Sequence, residues 1–327
     1  MRKILFSIIS VVLIIGIYLV LSGGTSRLHS MQFFAMGTIV EIQGQGSKNA
    51  VEAAIKKASE ELIRIERIFG YQDSLITELN SFNTIKDAEI FTVMQQALEI
   101  HRASSGAFSL TMRPILDAWG FTGTHPYRLP TDDEFLLWKS LPGEEGIVLA
   151  DDGESITTAE GLKVDLAGIV KGYAADRAAT ILRQQGVRSG LINAGGDIAT
   201  FGEKTWRIGI KNPQGPGIIA TIPIKDRSIA TSGSYERFFE THGTRYSHIL
   251  DPETGWPVDH VISTTVIAAT CIEADAWATA LFVRGVEPLK ELLEARSIQW
   301  IVIDKDGKIS SSPSLENLLP EKLPGIH

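Results

Sequence analysis

An aspartate and a threonine four residues apart, Asp275 and Thr279, lie in the run Glu273-Ala274-Asp275-Ala276-Trp277-Ala278-Thr279-Ala280. On an α-helix an i,i+4 pair shares one face. A carboxylate and a hydroxyl are hard oxygen donors. Together they suit magnesium, which prefers oxygen and takes few protein ligands beside water and substrate phosphate. The same pair also fits a plain polar stripe on an alanine-rich helix. Glu273 faces away from Asp275 and reads as a solvated or capping residue.

Other residues with chemical potential are spread along the chain. His248 stands in Ser247-His248-Ile249-Leu250-Asp251-Pro252, before the turn Glu253-Thr254-Gly255. An imidazole near neutral pKa suits proton removal from an alcohol, and a structural hydrogen bond within the turn is the competing reading. The other six histidines show no partner pattern, and most are expected at the surface. Asp165 and Lys171 flank Gly168 in Val164-Asp165-Leu166-Ala167-Gly168-Ile169-Val170-Lys171-Gly172-Tyr173. Lys171 at a helix start could meet a phosphate, which free helix N–H groups also favour, or it could pair with Asp165. In Asn193-Ala194-Gly195-Gly196-Asp197 the two glycines permit positive φ or close approach to a ligand. They are not a dinucleotide fingerprint, because no Gly-x-Gly-x-x-Gly opens a helix there. The single cysteine, Cys271, excludes an internal disulfide and a cysteine-based zinc site. Its apolar neighbours make it a buried small hydrophobe.

These residues need a scaffold, and the chain is long enough for one. It has 327 residues, 44% hydrophobic and 21% charged, which is a globular composition and excludes wholesale disorder. The net charge is −8 and no Lys/Arg run forms a basic patch, so nucleic acid is discounted as a partner. Arg2 and Lys3 precede an uncharged apolar run over residues 4–22. That is close to the roughly 20 residues that span a bilayer, and the positive flank predicts a cytoplasmic N-terminus with the body translocated. An uncleaved anchor over 1–24 is preferred to a cleaved signal peptide, and 25–30 read as a linker to a domain over 31–327.

Within that domain, residues 31–44 read as a strand pair broken at Met36-Gly37, and a helix opens at Ser47 and stops at Gly70. Residues 74–83 read as irregular. Helices follow over 91–104 and from a capping box at Thr131. A strand–turn–strand covers 146–158, and a loop from 168 feeds a helix ending at Gly186. Strands fall at 191–192, 206–211, 217–224, 228–232 and 261–269. Helices are expected at 272–283 and 286–295, and a terminal hairpin around Asp306-Gly307. Strands in hairpin-like runs between helices predict an α+β fold with a mainly antiparallel or mixed sheet.

Gly106-Ala107-Phe108-Ser109-Leu110-Thr111, the segment around Gly168, the Gly195-Gly196 motif, Tyr246-Ser247-His248-Ile249-Leu250-Asp251-Pro252-Glu253-Thr254-Gly255 and the Asp-x-x-x-Thr helix follow one another in this order. As an ordered set they resemble the ApbE family of FAD:protein FMN transferases, over roughly residues 31–290. The resemblance implies the same α+β class. It also implies Mg²⁺ held by Asp275, Thr279 and the backbone carbonyl of Gly168, with FAD as substrate. FAD would be contacted by Met36, Tyr71, Ala107, Phe108, Ser109, Asp165 and Lys171, and Ile249 would lie against the flavin. Asn83 matches the end of a further family loop. His248 becomes the general base for an acceptor hydroxyl. The implied partners are flavoprotein subunits of membrane redox complexes, at the extracytoplasmic, periplasmic face of a bacterial inner membrane. The family often carries Asp where this chain has Ser109, so a charge is lost there. Water in place of the acceptor would make the same site an FAD pyrophosphatase. Bound FAD without turnover would make it an anchored flavin-binding protein.

Overall fold

The computed structural model describes residues 27–323, so the apolar segment 4–22 and its reading as an anchor lie outside it. Among the described residues no helix is long and apolar enough to cross a membrane. Strands β1 (Arg27–Ala35) and β2 (Thr38–Gly46) form a hairpin. Its two turn residues, Met36 and Gly37, both take positive φ (54° and 70°), as a two-residue connection demands. Residues 27–30, read as linker, are instead the start of β1. Their polar sequence hides a full register with β2, from Arg27↔Gly46 to Ser30↔Gln43. His29, expected at the surface with most other histidines, is buried there.

Helix α1 (Lys48–Phe69) buries Val51, Ile55, Leu62 and Ile65 at helical spacing and stops at Gly70. The stretch read as irregular is helix α2 (Leu75–Phe82), closed by a reciprocal Ser74–Thr77 capping box and ended by Asn83 at φ 59°. Thr in place of Glu or Gln makes that box a faint signal in sequence. Strand β3 (Thr84–Lys86) leads to α3 (Ala88–Ala103), which starts earlier than expected because Asp87 caps it. Helix α4 (Arg113–Trp119) was not anticipated, and α5 (Asp132–Ser140) carries the expected Thr131–Glu134 box. Strands β4 (Ile147–Leu149) and β5 (Ser155–Thr158) complete a three-stranded sheet with β3.

The second half begins with α6 (Ala167–Gln184), which takes in residues read as a loop. Then come β6 (Ser189–Ala194), β7 (Asp197–Gly202), β8 (Trp206–Lys211), β9 (Ile218–Ile224) and β10 (Ser228–Gly233). A hairpin of β11 (Phe238–Thr241) and β12 (Thr244–Ser247), too exposed and charged to show an apolar pattern, precedes β13 (Val261–Ala268). Helices α7 (Cys271–Arg284) and α8 (Lys290–Ala295) and strands β14 (Gln299–Asp304) and β15 (Ile309–Ser311) close the chain. Helix α8 is shorter than the 286–295 expected.

Eight strands form one sheet in the order β1-β2-β6-β7-β10-β13-β14-β15, with antiparallel neighbours throughout. Both faces are buried. Ile192, Ala199, Val266 and Val302 point into a core shared with α1, α6 and α7, while their neighbours Leu191, Ile198, Ile267 and Ile303 meet the β8–β9 hairpin on the other side. Strict alternation of facing is the sheet's own geometry, and two buried faces explain why these strands read as continuous apolar runs. A third cluster around Trp119, Phe121 and Leu250 sits beside the β11–β12 hairpin.

Candidate active site

Helix α7 is set by its N-terminus. Thr270 caps it, accepting the Glu273 N–H, and Thr270 Oγ1 donates to Glu273 Oε2, so Glu273 is a capping residue as expected. Asp176 of α6 accepts the Cys271 and Ile272 N–H groups, each at 2.9 Å. The two helices approach so closely that a Cβ at Gly172 would run into the Cys271 carbonyl. This contact brings Asp275 onto α6, where its Oδ2 accepts the Gly172 N–H at 3.0 Å. In a regular helix that N–H belongs to the carbonyl of residue 168. Thr279 lies one turn on, 3.3 Å from Ser232 Oγ of β10, and a Cβ at Gly168 would be 3.6 Å from Thr279 Oγ1. Asp275, Thr279 and Gly168 therefore converge. Cys271 is fully buried.

Electrostatics at this point are unbalanced. Lys171 pairs with Asp197, not with Asp165. Burial works against the Lys171 charge, but Asp197 and Asp275 outweigh it and raise its pKa. One ammonium thus serves two buried carboxylates, and burial, with Asp197 nearby, pushes Asp275 up to about 7. An excess of buried negative charge beside neutral oxygens is what a hard cation would relieve. Among the described residues no three His, Cys, Asp or Glu side chains converge on one point. A cation here would rest on one carboxylate, a hydroxyl and a carbonyl, with the remaining positions open to water and phosphate.

These groups lie in a cavity of about 500 Å³, within the size range of small-molecule sites. Met36, Tyr71, Ala107, Phe108, Ser109, Asp165, Gly168, Lys171, His248, Ile249, Asp275 and Thr279 all line it. Two glycine turns form part of its rim: Met36-Gly37, and Gly195-Gly196 with φ of 68° and 104°. A Cβ at Gly195 would come within 2.5 Å of Thr38 Oγ1, so the second motif is both a hairpin turn and a wall of the cavity. The Met36 N–H is held by Glu66 Oε1 at 2.8 Å. Asp165 caps α6 by accepting the Ala167 N–H at 2.8 Å, and its other oxygen accepts the Tyr71 hydroxyl at 3.0 Å. The departure at Ser109 is local, because Ser109 Oγ donates to Glu144 Oε1 at 2.7 Å.

His248 follows β12. Its Nδ1 lies 3.0 Å from the Arg237 carbonyl, which also accepts the His248 N–H. A carbonyl can only accept, so Nδ1 carries the proton and Nε2 is left as the base. The ring is walled by protein yet opens onto the cavity. Burial lowers its pKa to about 4, assisted by Arg237 and Lys171, so it is neutral at pH 7. The aromatic cluster fixes this segment: Phe121 meets the imidazole edge to face, and Trp119 Nε1 donates to the Gly255 carbonyl at 2.9 Å.

Several lining residues were not singled out from sequence. Arg113 is buried, stacks over Tyr71 at 4.7 Å and bonds Asp117. Arg237 reaches the cavity with its guanidinium tied to the Phe121 carbonyl. With Lys171 they bring three cations to one cavity, a set suited to a polyanion. Arg113 comes from α4 and Arg237 from the turn before β11, neither of which the sequence resolved. Asp176, which holds the Cys271 and Ile272 N–H groups, lies outside the motifs read from sequence.

Residues 36–302 match the ApbE family, and the chain belongs to it. It is 31% identical over 297 residues to the FAD:protein FMN transferase of Klebsiella pneumoniae, covering 88% of this chain and 93% of that one. The crystal structure of the ApbE protein from Thermotoga maritima superposes with a TM-score of 0.84 at 32% identity, over 90% of this chain and all of the other. The apo flavinyl transferase ApbE of Pseudomonas stutzeri gives 0.80 at 26% identity, over 91% and 99%.

Proposed function

We infer that this chain is an FAD:protein FMN transferase. The observation that carries the reading is the convergence of Asp275, Thr279, Gly168, Lys171 and His248 in one cavity of a chain of this family. FAD enters with its pyrophosphate toward Lys171, Arg113 and Arg237, and with the flavin against Ile249. An acceptor threonine or serine hydroxyl attacks the phosphorus on the riboflavin side. A new O–P bond forms, the P–O–P bond breaks, and AMP leaves. His248 Nε2 takes the hydroxyl proton. Its Nδ1–H, fixed on the Arg237 carbonyl, keeps the ring in the tautomer that can do so.

Asp275, Thr279 and the Gly168 carbonyl would hold Mg²⁺. When bound, the ion neutralises pyrophosphate charge, and phosphoryl transfer depends mainly on such positioning and electrostatics. The unbalanced pair of buried carboxylates supports this fit. The acceptor belongs to the flavoprotein subunits of membrane redox complexes. The charge pattern of residues 1–24 supports a membrane-anchored enzyme working at the extracytoplasmic face. The test is incubation of the protein with FAD, Mg²⁺ and such an acceptor. An FMN adduct on the acceptor supports transfer, whereas free FMN and AMP at the same rate without acceptor would make the enzyme a pyrophosphatase.

A further inference from the structure

We infer that Glu144 is a positioning residue of the flavin site. Its carboxylate, delivered from outside the 106–112 loop, holds that loop in the shape that receives FAD. The inference rests on the flavin-transferase reading.

Glu144 opens the 3-10 turn Glu144–Gly146 just before β4. Its side chain is only 11% exposed. One oxygen, Oε1, accepts the Leu110 N–H and the Ser109 hydroxyl, both at 2.7 Å, and Thr111 Oγ1 lies at 3.4 Å. His101 Nδ1, which donates to the Phe108 carbonyl at 2.8 Å, is 3.5 Å from the same oxygen. A surface glutamate has no reason to gather so many donors, and hydrogen bonds to a carboxylate are stronger than neutral ones.

The loop it grips is wired to the site. The Leu110 carbonyl accepts the Asp165 N–H at 2.7 Å, and Asp165 in turn orients Tyr71 and caps α6. The Phe108 ring packs on Gly168, where a Cβ would lie 3.2 Å away. Ala107, Phe108 and Ser109 line the FAD cavity, but Glu144 does not; it lines the neighbouring cavity of about 490 Å³ on the far side of the loop. Glu144 therefore acts through the loop. The loop has no carboxylate of its own, since position 109 is serine, and Glu144 supplies one from a distant part of the chain.

The test uses Glu144→Gln, Glu144→Ala, and Glu144→Ala combined with Ser109→Asp. FAD binding is read by flavin fluorescence without acceptor, beside kcat, KM for FAD and a thermal melt. Glu144→Ala is expected to raise the FAD Kd and KM roughly tenfold or more, with kcat at saturating FAD little changed. Glu144→Gln, which keeps one acceptor oxygen without the charge, should fall between. Adding Ser109→Asp restores a carboxylate within reach of the Thr111 N–H, now 3.2 Å from Ser109 Oγ, and should recover most of the affinity. A folded Glu144→Gln or Glu144→Ala protein with wild-type FAD affinity overturns the inference, as does a double variant that recovers nothing. A wild type that takes no FAD overturns the flavin reading and this inference together.

Discussion

In the proposed reaction Asp275 supplies charge and His248 a base, and both side chains line one cavity. Asp275 is buried, holds the Gly172 N–H, and sits near Asp197 with Lys171 as the shared counter-charge. If Asp275 is the charged ligand of Mg²⁺, Asp275→Ala should abolish Mg²⁺-dependent turnover, and Thr279→Val, which removes a neutral donor, should lower it less. Near-normal activity of Asp275→Ala at low magnesium would reject the metal assignment. His248→Asn should leave FAD affinity nearly intact and reduce transfer by roughly 10²–10⁴-fold. With a pKa lowered to about 4, the imidazole is a free base above that pH and is protonated below it. The wild-type rate should therefore show a limb that rises with pH through about 4, and this limb should vanish in the variant. A pH profile unchanged by His248→Asn would remove the base. At this scale the position of the site was legible: His248, Asp275, Thr279, Gly168 and the eight residues named for FAD line one cavity, whereas Asn83 instead bonds Thr158 and Ala159. Asp165 and Lys171 show the limit, since sequence proximity suggested a pair while the fold gives Lys171 to Asp197 and Asp165 to Tyr71.

Helices α6 and α7 form the unit that makes the site, and Gly172 and Asp176 are what hold them together. Gly172→Ala would place a methyl against the Cys271 carbonyl, which is backbone and cannot rotate away. Overpacking of this kind destabilises by about 1–3 kcal/mol, and here it also lifts Asp275 off α6. The expected result is a lower melting temperature together with weaker Mg²⁺ dependence. A Gly172→Ala protein of wild-type stability and activity would show that the close approach is not needed. Elements with strong periodicity or caps, such as α1 and α5, could be read from sequence. Helix α4 and the β11–β12 hairpin could not. The helix is seven residues long, and the hairpin carries exposed charges such as Glu240 and Arg245 where an apolar pattern would be needed. Tertiary contacts with the Trp119 cluster, not local propensity, hold them.

As a whole, the molecule is a sheet buried on both faces with its chemistry gathered between α6, α7, the 106–112 loop and the aromatic cluster. The class was legible because strand runs and helices alternate without a parallel βαβ pattern. The strand order was not, since β2 pairs with β6 across more than a hundred residues and no local signal encodes that. None of the site residues lies before Met36, so removal of residues 1–24 should yield a soluble protein that keeps transfer activity. A reporter fused after His327 is expected to score as extracytoplasmic, and a cytoplasmic score would reject the orientation read from Arg2 and Lys3. Transfer of FMN to a hydroxyl of another protein is the activity proposed for the cavity. Its most direct test is mass spectrometry of a candidate acceptor after incubation with this protein, FAD and Mg²⁺. The expected product is an acceptor heavier by one FMN less water, on a threonine or serine, with one AMP released per adduct and none with Asp275→Ala. An unmodified acceptor beside free FMN and AMP would contradict it.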